Sequence, residues 1–189
     1  MFQLSDSDQA QLLRVTRESV LAYLSGRAPR LPTLAGALAD TRGVFVSIHQ
    51  SGELRGCIGN IHPTTPLYRT TADCAISAAV GDPRFVPMTL EELPRVHFEI
   101  SVLSPMERVE TIDHIEIGKH GLFISKRSAR GLLLPQVAQH YGWDRERFLA
   151  ETCRKAGLEP DDWKSDTGIF RFTAHVFGER AAAKTQEKS

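Results

Sequence analysis

"GVFVSIHQSGELRGCIGN", Gly43 to Asn60, decides the class of fold. Val44, Val46 and Ile48 alternate with Phe45, Ser47 and His49, the period of a strand with one buried face. Ser51-Gly52 supplies a two-residue turn. A return strand follows, with Leu54, Gly56 and Ile58 on one face and Arg55, Cys57 and Gly59 on the other. Glycines inside a strand weaken it, and they mark a bulge or the close approach of another backbone or a ligand. Cys57 therefore poses a question. Its thiol is either placed to react, or it fills space where the backbone is crowded.

Around this hairpin the chain alternates helices and strands. Residues 5–25 read as an amphipathic helix, with Leu12, Val15 or Thr16, Ser19 or Val20, and Tyr23 or Leu24 at helical spacing. Ser5 or Ser7 caps it and Gly26 stops it. Pro66 opens a slim helix to about Val80, rich in alanine, which Gly81 and Pro83 end. "RVHFEISVL" alternates as a strand, with Val96, Phe98, Ile100 and Val102 facing one way and His97, Glu99, Ser101 and Leu103 the other. "GLFISKRSARGLLLP" is a second hairpin turning near Ser128–Gly131. Gln136–His140 forms a short helix, and Asp144 caps another through Lys155, with Gly157 at its end. "GIFRFTAHVF" is one last long strand, and the polar "ERAAAKTQEKS" after it frays, with residues 180–189 disordered. Hairpins mixed with separate helices make this an α+β fold with a mainly antiparallel sheet.

The 189 residues suffice for one domain, or two small lobes, with a core that needs neither disulfide nor metal. Formal net charge is zero and no basic block stands out, so nucleic acid or an anionic membrane is not expected as partner. No apolar run is long enough to span a bilayer, and the N-terminus lacks the pattern of a secretory signal. A cytoplasmic location follows as an expectation. Three widely spaced cysteines, Cys57, Cys74 and Cys153, argue for reduced thiols.

Several stretches, in order, resemble one family. "LRGCIG" (Leu54–Gly59) is the signature of the AMMECR domain family, whose bacterial and archaeal members are known as AmmeMemoRadiSam system protein A. "GVFVSI", "DPRF" (Asp82–Phe85), "EISVLSP", "GKHGL" (Gly118–Leu122), "LLLPQVA", "GWD", "CRKAGL" and "HVF" match as well, so the resemblance covers roughly Leu12 to Glu179. It implies a single domain, 5–179, of two lobes: a larger one from both chain ends, a smaller one from an internal segment, and a cleft between them. It further implies a Memo-like protein and a radical S-adenosylmethionine protein as partners. It implies no known reaction and leaves any cofactor unknown.

A thiolate is the reactive form of cysteine, and the free side chain has a pKa of about 8.5. Arg55, roughly 6–7 Å along the same strand face, would favour it. Gly56 and Gly59 would let a substrate or peptide N–H donors approach. His120 in "GKHGL" is the first candidate base and His49, across the hairpin, the second; Glu99 would orient the imidazole or act as an acid. Arg55 would otherwise clamp an anion, with Asp82 and Arg84 lining the same site. Each residue has a structural alternative: Cys57 as a small buried hydrophobe, Arg55 in a salt bridge with Asp82 or Glu99, Asp82 and Arg84 as an ion pair holding a helix-ending turn, His120 in a turn. The seven histidines form no HExxH or similar ligand spacing, so no metal site is expected. Two functions are in play: a cysteine-centred enzyme acting on a small anionic organic substrate, and a non-catalytic binding or adaptor subunit for the Memo-like and radical proteins.

Overall fold

The structure is a computed structural model that describes residues 4–179. The tail expected at 180–189 lies outside the described residues. In chain order the elements are α1 (Asp6–Leu24), β1 (Val44–Gln50), β2 (Glu53–Asn60), α2 (Leu67–Val80), β3 (Val96–Leu103) and β4 (Glu107–Arg108). There follow β5 (Gly121–Lys126), β6 (Ala129–Leu133), α3 (Pro135–Tyr141), α4 (Arg145–Lys155), β7 (Gly168–Phe172) and β8 (Ala174–Gly178). The fold is α+β, with two antiparallel sheets rather than the one expected. The chain divides into two units, one running to Val102 and resuming at His175, the other Leu103–Ala174.

The first unit holds the sheet β2-β1-β3-β8. Ser51 and Gly52 both have positive φ, 55° and 89°, so the hairpin turn has the twist that suits two antiparallel strands. Val44, Val46, Ile48, Phe98, Ile100 and Val102 form the inner face and are fully buried or within 1% of it. α1 and α2 cover them, through Leu12, Val20, Leu67, Ala75 and Ala78 among others. Each large side chain buried this way contributes about 1.5–3 kcal/mol. α1 starts with a capping box: Asp8 N–H donates to Ser5 Oγ at 3.2 Å, and Ser5 N–H donates to the Asp8 carboxylate at 3.2 Å. Of the alternatives Tyr23 and Leu24, it is Leu24 that packs on the core, and Tyr23 is 49% exposed. Pro66 is the N-cap of α2 rather than its first helical residue.

Glu179 corrects one expectation. Read as the start of a frayed tail, it is anchored: Arg17 donates to its two oxygens at 2.7 and 2.6 Å, and Phe98 N–H donates at 2.9 Å. The hydrogen bonds to Glu179 raise the Arg17 pKa further. Arg17 also reaches the carbonyls of Leu93 and Val96, so one guanidinium ties α1, β3 and the residue after β8.

The second unit holds the sheet β4-β7-β5-β6. Its core gathers Ile115, Leu122, Ile124, Phe148, Leu149 and Cys153. Asp144 caps α4, accepting Arg147 N–H at 2.8 Å, as its position before the helix predicts. The hairpin turns at Arg127 and Ser128, with Lys126 opposite Ala129 and Arg127 at φ 56°. Gly131, expected near the turn, lies inside β6 opposite Ile124. A Cβ there would come within 2.6 Å of Ala156 N and 2.7 Å of Thr152 O, so only glycine lets the end of α4 lie on the strand. The stretch "GIFRFTAHVF" is not one strand: it breaks at Thr173, and β7 and β8 belong to different sheets and different units.

Candidate functional site

The site starts from a bulge. At Gln50↔Glu53 and His49↔Leu54 the hairpin pairs as its turn dictates, but Ile48 pairs with Gly56, leaving Arg55 as the extra residue. The slip of one residue puts Gly56 on the core face and sets Ser47 opposite Cys57. Ser47 is in turn opposite Glu99 on β3. Cys57, Ser47 and Glu99 thus form one row across three strands, on the face opposite the α2-covered core. His49 and His97, opposite each other, form the next row, their rings stacked with centroids 5.4 Å apart. At these rows the polar Ser47, His49, His97 and Glu99 alternate with core residues, whereas Ser101 and Leu103, further along the same face of β3, are each 2% exposed.

Cys57 is half-buried. The Ser47 hydroxyl donates to Sγ at 3.2 Å. Cys57 N–H donates to Asp82 Oδ2 at 2.9 Å, and Arg84 Nη2 donates to Cys57 O at 3.3 Å. Asp82 is 5% exposed and also accepts Arg84 N–H, Nε and Nη2 at 3.1, 2.9 and 2.6 Å. The hydrogen bonds from Arg84 hold the Asp82 carboxyl well below the usual carboxylate range, outweighing the effect of burial. Asp82 raises the Arg84 pKa in return. The expected helix-ending turn held by an Asp82–Arg84 ion pair is present, and it grips the backbone of Cys57 on both sides.

Arg84, not Arg55, is the cation at Cys57. The bulge turns Arg55 to Glu92, which takes Nε at 3.0 Å and Nη2 at 3.3 Å; the partner is neither Asp82 nor Glu99. Burial raises the Glu92 pKa, but hydrogen bonds from Arg55 and from Thr89 N–H bring it below its ordinary value. Leu54 does not share a face with Gly56, because the bulge lies between them; it is opposite His49 and 40% exposed.

The approach expected at the two glycines is taken by the protein itself. A Cβ on Gly56 would lie 2.2 Å from the Ala78 carbonyl oxygen, so the glycine lets β2 press on α2. A Cβ on Gly59 would lie 2.3 Å from the Phe45 ring, which covers that position across the strand pair. His120 belongs to the second unit, where it is 5% exposed and its Nδ1 accepts Glu116 N–H at 3.0 Å. Burial, with the Arg171 charge second, lowers its pKa, and its ring closes the turn before β5. Of the expected bases only His49 shares the face of Cys57. Its Nε2 is buried without a hydrogen-bond partner.

Cys74 and Cys153 are buried on helices. Burial pushes the Cys74 thiol up to about 11 and that of Cys153 above its ordinary value. Sequence reasoning missed Ser47 and Glu92. Counting pairs back from the turn sets Ser47 opposite Gly56, and nothing short of the bulge moves it to Cys57. Among the described residues no three His, Cys, Asp or Glu converge as metal ligands, and no helix is long and apolar enough to cross a membrane.

The chain is similar to known proteins along most of its length. The AMMECR1 family profile matches residues 13–177. A protein of Methanothermobacter thermautotrophicus is 44% identical, covering 93% of this chain and 96% of its own. One of Pyrococcus furiosus is 43% identical over 95% of this chain and 91% of its own. The crystal structure of an uncharacterized protein from Pyrococcus horikoshii superposes with a TM-score of 0.89 at 40% identity, covering 95% of both chains. With a profile spanning nearly its whole length and relatives this similar end to end, the chain belongs to the AMMECR1 family.

Proposed function

We propose that the polar face of the first sheet is a thiol-based active site for a small anionic organic substrate, with Cys57 as nucleophile. The observation that carries the reading is the Ser47 hydroxyl donating to Cys57 Sγ, with the Arg84 guanidinium at the carbonyl of the same residue. A donor to sulfur and a nearby cation both stabilise thiolate over thiol. His49, two residues from Ser47 on the same face, takes the thiol proton, and Glu99 holds the far end of the row. Arg84 anchors the anion: Asp82 and the Cys57 carbonyl use its Nε and Nη2, which leaves Nη1 to a carboxylate or phosphate. The work is assigned to the cytoplasm, in a pathway shared with Memo-like and radical S-adenosylmethionine proteins.

The test is the pH profile of Cys57 alkylation, read by mass spectrometry. An apparent pKa below about 8.5, raised by Arg84→Gln and by Ser47→Ala, supports the reading. A value at or above that of a free cysteine, unmoved by either change, removes it.

A second reading keeps the family partners but no chemistry. The packing of Gly56 on Ala78 and Phe45 on Gly59 favours it, because most of the signature is then required by the fold alone. Cys57→Ser separates the two. An adaptor keeps its fold, its copurifying partners and its pathway output; a nucleophile variant keeps the fold and loses the output.

A further inference from the structure

Away from the Cys57 face, α1 and the segment 27–32 enclose a groove of about 630 Å³. That volume lies within the range of about 300–1,000 Å³ typical of small-molecule sites. Its walls are apolar, from Val15, Ala22, Leu31 and Pro32. Ser19 also lines it; the residue is 1% exposed and its hydroxyl has no hydrogen-bond partner. Two prolines, Pro29 and Pro32, keep the segment out of a helix, so it lies across α1 as an irregular strap.

The charges at this groove are unequal. Arg27 and Arg30 both line it, and neither guanidinium forms an ion pair among the described residues. Among the described residues Glu18 is the one carboxylate that lines it, so two cations stand against one anion. Elsewhere in this unit Arg17, Arg55 and Arg84 each hold a carboxylate. An arginine fork left open beside an apolar hollow selects a ligand with both characters.

We propose that this groove binds a small amphipathic anion, an aliphatic chain ending in a carboxylate. The chain lies along Val15, Ala22 and Leu31, and the carboxylate meets Arg27 and Arg30. The site is independent of the thiol chemistry, and Cys57→Ser leaves it unchanged.

Octanoate is the probe, with octanol as its uncharged counterpart. In an amide-shift NMR titration of the full chain, octanoate shifts signals from the second half of α1 and from residues 27–32, and it binds more tightly than octanol. Arg27→Ala with Arg30→Ala weakens octanoate by about tenfold and leaves octanol unchanged. Ala22→Trp, which fills the groove from an half-buried position, abolishes both shifts, with the far-ultraviolet spectrum checking the fold. The proposal is overturned if millimolar octanoate leaves these signals in place, if octanol binds as well as octanoate, or if the double variant binds octanoate like the parent.

Discussion

Cys57 and Cys153 mark two regions that treat the same side chain in opposite ways. On the outer face of the first sheet, Cys57 is half-buried, meets a serine hydroxyl and has Arg84 beside its backbone. On α4 of the second unit, Cys153 is fully buried in a cluster with Phe148 and Leu149, and burial raises its pKa. Histidine divides likewise. His49 shows a buried, unpartnered Nε2 on the polar sheet face, whereas His120 is locked to the Glu116 N–H. Residue type does not decide reactivity; the face of the element and the groups across from it do.

The two regions agree in one respect, and the largest effect tests it. Gly56 and Gly131 each let a helix backbone press on a strand. Gly56→Ala and Gly131→Ala should each destabilise the chain by about 3 kcal/mol, because the colliding atoms are main-chain and cannot swing away. Urea denaturation checks this, and a loss below about 1 kcal/mol at either site would show that the helix moves aside.

Thiol reactivity breaks or keeps the contrast itself. Under native conditions Cys57 should react with iodoacetamide about a hundredfold faster than Cys74 or Cys153, whose modification waits on local opening. Mass spectrometry of timed digests gives the three rates. Equal rates would erase the distinction between the two regions.

The Asp82 clamp is the next effect. Asp82→Asn should cost about 2 kcal/mol, less than a fully buried pair, because Arg84 is 52% exposed. The sign of its pH dependence follows from the depressed pKa. Stability from Asp82 is complete above about pH 4, where the unfolded carboxyl is ionised, and is lost as pH falls from there toward the folded-state value. Thermal melts at descending pH should show that slope in the parent and a weaker one in the variant.

His120 supplies the smallest and the opposite-region test. Its folded pKa is lowered, so its contribution is complete above about pH 6.5 and declines as pH falls below, where the unfolded state binds the proton more readily. His120→Asn keeps an acceptor for Glu116 N–H and removes the titration. Between neutral and mildly acid pH the parent should lose more stability than the variant, which thermal melts of the two at descending pH check.

Much of this molecule was legible in its residues. Period-two alternation located β1 and β3, and Ser5, Asp144 and Gly157 marked helix ends through chemistry local to the chain. The ion pair of Asp82 with Arg84 was legible because the two are two residues apart. The site was not. Arg55 was assigned to Cys57 by counting along a regular strand, and a single extra residue sent it to Glu92 instead. The break at Thr173 was equally hidden, because "GIFRFTAHVF" keeps a strand-like composition through the point where it leaves one sheet for the other.

By itself the sequence determined most of the helices and the core faces of β1 and β3, since these follow from spacing, caps and turns within a few residues. Only the tertiary structure decided what stands opposite Cys57. Strand register depends on how α2 and β2 pack at Gly56, and a shift of one residue exchanges every cross-strand partner. The serine at the sulfur is a consequence of that register, and the arginine at its carbonyl comes from the Asp82 turn that follows α2.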